Sequence, residues 1–256
     1  MSWARVNGML SALSDARIPA NDVGFLSGWT VFETLRTVDA EIPLLALHLA
    51  RLAESARSAH IPMPAGLEEE CRQLASKVAG PGRIRITLSG SGLRIVSIEP
   101  VPTDRFGAPV RCVTGPFVPD PFLSGAVKHG SRAGWVVAVK RSGVDDVLFV
   151  DQDGRFTEGT TCGVLAVREG AAWTAPHDGR VLPSTTVSTL VDLAAGLGIP
   201  VVRQGALAEG PWEGLYIASA TRGLAPVTML DGRTLPTGDP VRIRLAAALA
   251  AHAGLR

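Results

Sequence analysis

VLFVDQDGRFTEGTTCGVLAVR, residues 147–168, reads as two strands around a turn. VLFVD (147–151) and CGVLAVR (162–168) are short apolar runs rich in β-branched residues, and DQDG (151–154) is turn chemistry. Working downstream, a helix is expected from Ser184–Thr186 to Ala195, a strand at LYIASA (215–220) and an amphipathic helix at VRIRLAAALAAHAGL (241–255). Upstream, an apolar run predicts a helix near 127–141, and the proline-rich GPFVPDPFLSG (115–125) before it looks like a connector. Residues 44–60 set Leu45, Leu49, Leu52, Ala56 and Ala59 at helical spacing until Pro62 and Pro64 end the run, and a second helix is expected over 67–79. RIRITL (83–88) alternates Ile84, Ile86 and Leu88 with polar partners. GSG (90–92) turns the chain into LRIVSI (93–98), a hairpin. The expectation is a two-lobed α/β (α+β) fold: an N-terminal α/β lobe over 1–114, a connector over 115–125 and a C-terminal lobe over 126–256, with a cleft between them of the kind that usually takes a ligand.

Bulk properties narrow the function. The 256 residues are 46% hydrophobic and 19% charged, so the chain is globular rather than disordered. A net charge of +1 without basic blocks gives no reason to expect nucleic-acid or membrane binding. The N-terminus lacks the apolar run of a signal peptide, and no stretch approaches the roughly 20 apolar residues of a membrane span. Cys71, Cys112 and Cys162 are scattered without CxxC spacing. That fits a reducing cytoplasm and argues against a disulfide framework or a metal site.

Two segments invite a chemical reading. In KHGSR (128–132), a lysine at the start of an apolar helix could point into a cleft, where desolvation would make it a usable amine nucleophile. In TEGTT (157–161), Glu158 follows a strand and turn and could meet a protonated pyridine nitrogen. Read alone, both are more readily solvated surface charges. LPSTT (182–186) offers hydroxyls at a helix start, either an ordinary cap or a phosphate site. SATRGLAP (219–226) has a similar character.

The order of motifs resembles the class IV aminotransferases, or fold type IV pyridoxal-phosphate enzymes, a group that includes branched-chain and D-amino-acid aminotransferases and aminodeoxychorismate lyases. The matching pieces are GFLSGWTVFETLR (24–36), HLARLAESA (48–56), KHGSR (128–132), GVDDVLFVDQDGRFTEGTT (143–161), LPSTT (182–186) and APV with LDGR (225–233). The resemblance implies that Lys128 is the catalytic lysine and carries pyridoxal 5'-phosphate as a Schiff base. Glu158 would bond its pyridine nitrogen. Arg51, Thr185, Thr186, Ala220 and Thr221 would hold its phosphate. Phe32, Glu33 and Thr34 match a strand of architectural rather than chemical importance. The family's members are homodimers. Arg85, Arg132 and Arg94 are the candidates for a substrate carboxylate, and His129 is read as a neighbour of the lysine. No metal is expected.

The chain departs from the family at Ser27–Thr30, at Ser131 and at Gly163, and its only tyrosine is Tyr216. The expected activity is transfer of an amino group between an α-amino acid and a 2-keto acid. GSGLR (90–94) and Arg132 keep a lyase that releases pyruvate and forms 4-aminobenzoate in view, and a non-catalytic relative stands as a third reading.

Overall fold

The computed structural model describes residues 1–253, so positions 254–255 of the expected last helix lie outside the described residues. The chain forms two compact units, Met1–Thr103 with Val127–Ser131, and Asp104–Ala126 with Arg132 onward.

The first unit contains β1 (Trp3–Val6), β2 (Met9–Ala12), α1 (Val23–Ser27), β3 (Thr30–Thr37), α2 (Leu45–Ser58), α3 (Leu67–Ala75), β4 (Gly82–Ser89) and β5 (Arg94–Pro100). Its strands form one antiparallel sheet in the order β2-β1-β5-β4-β3. Strand alternation sends Val31, Leu35, Ile84, Ile86, Leu88, Val96 and Ile98 to one face, where all are buried. Each such side chain contributes about 1.5–3 kcal/mol by leaving water. Leu52 and Ala56 of α2 and Leu67, Cys71 and Leu74 of α3 are buried with them. The buried side of α2 is rotated from the expected leucine stripe: His48 and Ser55 are inside and Leu49 is half-exposed. The reason is Glu33, which β3 places on the same face as Val31 and Leu35 and which draws polar partners inward.

The second unit contains β6 (Val110–Pro116), α4 (Ala133–Ser142), β7 (Asp146–Val150), β8 (Phe156–Gly159), β9 (Gly163–Arg168), β10 (Ala171–Thr174), α5 (Thr185–Gly196), β11 (Val201–Arg203), β12 (Gly214–Ser219), β13 (Gly223–Leu230), β14 (Arg233–Thr234) and α6 (Pro240–His252). The strand path runs β11-β10-β9-β12-β13-β6-β7-β8, and a pairing of β8 with β9 through Glu158 and Gly163 closes six of these strands into a ring. One face of the ring gathers Cys112, Leu148, Phe156, Val164, Leu215, Ile217 and Val227. The other packs Leu165, Val167, Tyr216 and Leu224 against Val187 and Leu190 of α5 and Leu245 of α6. Strands buried on both faces read as unbroken apolar runs, which is why CGVLAVR and LYIASA stood out. Asp239 caps α6 by accepting the Arg242 N–H at 2.7 Å, with Pro240 in the first turn.

The boundaries differ from the expected 1–114, 115–125 and 126–256. Residues 110–116 form β6, whose backbone pairs in parallel with β7 and β13, so they belong to the second unit. Residues 127–131 pair along the open edge of β3 and belong to the first. The helix expected from 127 begins only at Ala133. Lys128 is therefore not at a helix start. It lies in an extended strand-like segment: Phe32 donates its N–H to the Lys128 carbonyl at 3.0 Å, and Gly130 donates to the Thr30 carbonyl at 2.9 Å. A Cβ at Gly130 would come within 1.9 Å of Thr30 Oγ1, so this close approach requires glycine. None of the α4 residues is buried, and Val136 and Val137 are exposed.

Candidate functional site

In the first unit the structure gathers Lys128, Phe32 and Arg85 on the face of the sheet opposite α2 and α3. The Lys128 backbone N–H is donated to Ser55 Oγ at 3.1 Å, and its carbonyl is held by Phe32 as described. Its Nζ lies 4.9 Å from the centroid of the Phe32 ring. The Arg85 guanidinium lies 3.9 Å from the same ring. A cation over an aromatic face gains roughly 0.5–2 kcal/mol, and the flat ring sets where both cationic heads rest. Arg36, on the same side of β3 as Phe32, is buried there as well.

Arg51, which the resemblance assigns to the phosphate, is turned inward on its helix. Its Nε donates to Glu33 Oε1 at 2.7 Å and its terminal nitrogen to Oε2 at 2.9 Å, a bidentate pair. His48 Nδ1 lies 2.8 Å from Glu33 Oε2. Burial raises the Glu33 carboxyl pKa, but the bonds from His48 and Arg51 outweigh it and bring it down to about 2. Glu33 and His48 therefore form the socket that orients Arg51. The motif FETLR pointed to Glu33 as architecture, and His48 was hidden among the leucines of its helix.

Arg94 does not join this group. It pairs with Leu88 across the hairpin, which puts it on the α2–α3 face, opposite Arg85. There its guanidinium bonds Glu70 at 2.8 Å, and its backbone N–H is donated to Asn7. In this structure it ties β5 to α3. His129 forms the bridge with Val31, as a neighbour of the lysine.

In the second unit, three strand ends meet at one rim of the ring. Gly163 at the start of β9 pairs with Glu158 near the end of β8 and with Ala218 near the end of β12. Ala220 and Thr221 follow β12 in the turn into β13, closed by the Arg222 N–H to Ser219 Oγ at 3.3 Å. The N-terminus of α5 stands over the same point: a Cβ on Gly163 would meet Val187 Cγ2 at 2.5 Å and Ser184 Cβ at 3.4 Å. Glu158 Oε2 accepts the Leu182 N–H at 3.2 Å, which fixes the carboxylate beside the approach to that helix. Ser184 Oγ takes the Val187 N–H and so caps α5. The Thr185 and Thr186 side chains are buried at the positive end of this 12-residue helix.

This donor set fits pyridoxal phosphate in kind. A helix N-terminus with two buried hydroxyl residues suits a phosphate, and a carboxylate anchored by a backbone amide suits a protonated ring nitrogen. Arg132, a candidate for the substrate carboxylate, is engaged in the second unit. Its guanidinium stacks 3.9 Å from the Trp135 ring centroid and bonds the Thr160 carbonyl, which commits it to the turn after Glu158. Among the described residues no group of three or more His, Cys, Asp or Glu could hold a metal ion, and no helix is long and apolar enough to cross a membrane.

A family model described as amino-transferase class IV matches residues 30–230. The chain is 28% identical over 255 residues to a bifunctional aminodeoxychorismate lyase/D-amino acid transaminase of Mycobacterium tuberculosis, covering 85% of this chain and 87% of that one. Among solved structures it resembles a hypothetical aminotransferase from M. tuberculosis. The PLP-bound form has a TM-score of 0.89, with 26% identity and 98% of each chain covered. The form bound to α-ketoglutarate and PMP has a TM-score of 0.87, covering 99% of this chain and 100% of that one. The fold IV transaminase CpuTA1 from Curtobacterium pusillum has a TM-score of 0.86 at 25% identity, with each chain covered in full.

Proposed function

Because the chain belongs to the class IV amino-transferase family, we propose that it is a pyridoxal-phosphate-dependent aminotransferase acting on an α-amino acid and a 2-keto acid through Lys128. The observation that carries this reading is the meeting of Glu158, the start of α5 and the β12–β13 turn at one rim. When bound, the cofactor supplies an electron sink for bonds at the substrate Cα. The rest is the work of the chain's own residues. Lys128 Nζ would be the covalent anchor of the cofactor and the base that moves the proton taken from the substrate Cα. Glu158 holds a proton on the ring nitrogen. The Thr185 and Thr186 amides and hydroxyls, with the Ala220–Thr221 turn, hold the phosphate, and Arg51, oriented by Glu33 and His48, adds positive charge for it. Arg85 is the substrate carboxylate partner of choice, since Arg94 and Arg132 are engaged elsewhere.

The chain works as a homodimer in the cytoplasm. Exposed Phe25, Leu26 and Trp29 in the first unit and the uncovered apolar side of α4 in the second are what self-association would cover. The described cysteines are all free and buried, which suits a reducing compartment. Elimination of pyruvate from an aminodeoxychorismate-type substrate is the second reading, favoured by the relative that combines both activities in its name.

The test is the visible spectrum of the protein with added pyridoxal phosphate, for wild type and Lys128→Ala. The expected result is a shifted band of lysine-bound cofactor in wild type and its loss in the variant. Amino donors are then assayed for keto-acid formation with and without an acceptor. Pyruvate release without any acceptor favours the lyase. No shifted band in wild type refutes the catalytic reading.

A further inference from the structure

Glu158 sits on a poor ladder. β8 has four residues, its register with β7 shifts between Leu148 and Val150, and its pairing with β9 is the single pair Glu158–Gly163. Backbone hydrogen bonds of this kind give a side chain little fixity, because a slip of one residue would turn it to the other face. What holds the place instead is a buried side chain that the proposed chemistry does not use.

Asp146, the first residue of β7, is 1% exposed. Its Oδ1 accepts the Thr160 N–H at 2.7 Å, the Thr160 hydroxyl at 2.6 Å and the Val147 N–H at 2.9 Å. Its Oδ2 accepts the Thr161 hydroxyl at 2.7 Å and the Cys162 thiol at 3.6 Å. Four of these five donors belong to residues 160–162, the segment joining β8 to β9. The Thr160 N–H is shared with the Val147 carbonyl at 3.1 Å, and Gly159 donates to the Cys162 carbonyl at 2.8 Å. From the opposite side Arg132 grips the Thr160 carbonyl. Every polar group of Thr160 is thus engaged. The clamp also closes on Gly159, the residue after Glu158: a Cβ there would meet Cys162 Sγ at 2.5 Å and Asp146 Oδ1 at 3.0 Å.

We propose that Asp146 is a positioning residue for Glu158, fixing the 160–162 segment and thereby the depth and aim of the Glu158 carboxylate toward the cofactor ring nitrogen. Arg132 completes the clamp. The inference rests on the cofactor reading given above. The role asks for no contact between Asp146 and the cofactor, since its carboxylate is engaged by donors of the chain. A carboxylate is suited to the task because it is acceptor-only and can take donors on both oxygens, whereas an amide in the same place presents an NH2 group to Thr161 and Cys162.

The experiment uses the full chain as wild type, Asp146→Asn, Asp146→Ala, Thr160→Val and Glu158→Gln. Two readouts are independent of activity: amide hydrogen exchange at 159–162 without cofactor, and the nitrogen chemical shift of pyridoxal phosphate labelled with 15N in the ring. Asp146→Asn should fold, exchange its Thr160 amide at least about 10-fold faster, and move the ring-nitrogen signal part of the way from wild type to Glu158→Gln. Its cofactor dissociation constant should rise about 10–100-fold, as for other partners that orient a ligand from behind. Thr160→Val, which loses one donor and keeps its shape, should move the signal less and in the same direction. It decides the matter if Asp146→Ala fails to fold. Asp239→Asn, another buried carboxylate of this unit that caps α6, controls for lost stability and should leave the ring signal at the wild-type position.

A wild-type ring signal in both folded Asp146→Asn and Thr160→Val, while Glu158→Gln shifts it, overturns the positioning role and leaves the cofactor reading standing. A shift in Asp239→Asn as large as that in Asp146→Asn also overturns it. Absence of any bound-cofactor signal in wild type overturns both.

Discussion

Replacing Glu33 by Gln should flatten the acid limb of the stability curve. In the folded chain the Glu33 carboxyl titrates at about 2 instead of 4.5, because the bonds from His48 and Arg51 outweigh the cost of its burial. A folded-state pKa below the unfolded value means that the unfolded chain binds the proton first as pH falls. The stabilisation is therefore complete above pH 4.5, declines below it and is gone once pH has passed through about 2. At about 1.4 kcal/mol per pH unit the whole contribution is about 3 kcal/mol. Gln keeps the shape but cannot hold the charge, and it leaves the Arg51 guanidinium without its carboxylate. The variant should lose about 3–5 kcal/mol at pH 7, the usual result of removing one partner of a buried pair. Urea unfolding at pH 7, 5, 4 and 3 measures both effects. Wild type should lose about 2 kcal/mol of its excess over Glu33→Gln between pH 5 and 3, so the two curves draw together as pH falls. Parallel curves with a constant gap over that range would refute the assignment of the acid sensitivity to Glu33.

The two faces of the first sheet make opposite predictions for its arginines. Arg94→Met should leave the KM for the amino and keto acids unchanged and cost about 1 kcal/mol of stability through the lost Glu70 bond. Arg85→Met should raise the KM by about 10-fold or more with little loss of stability, since a charge-assisted bond to substrate contributes about 1.5–3 kcal/mol. The cysteines should resist a thiol reagent at pH 8 until the chain unfolds. Burial pushes the Cys71 thiol up to about 12, and burial aided by Asp146 raises Cys112 and Cys162 as well. Rapid labelling of folded protein at any of the three would contradict this placement.

Much of the second unit was legible because both faces of its strands are buried, so periodicity gave way to plain apolar runs at 147–151, 162–168 and 215–220. The closure of the ring was not, because β6 finds its partners in β7 and in β13, more than a hundred residues downstream, and nothing local records such a pairing. Lys128 was misplaced for the same reason. The apolar residues that begin at 133 invite a helix back to 127, while the real determinant is the edge of β3, met only in the folded chain. Arg94 is a different case, since its side of the hairpin follows from register, and register depends on how many residues the GSG turn takes up. In Asp145–Asp146 two identical side chains stand in sequence, and only the pleat of β7 decides which one is buried. Residues tied to a motif, such as Glu158 and Thr186, could be proposed for the site from the sequence. Those that act by holding another residue, such as His48 and Asp146, carried no signal beyond their composition.

The return of residues 127–131 to the first unit has a consequence during synthesis. The edge of β3 lacks its neighbour until Ser131 has cleared the ribosome, by which time the chain has already left that unit at Thr103 and begun the other. At roughly 5–20 residues per second the wait is on the order of a few seconds. Until then the β3 edge has no neighbour, and it is the arrival of residues 127–131 that seals it.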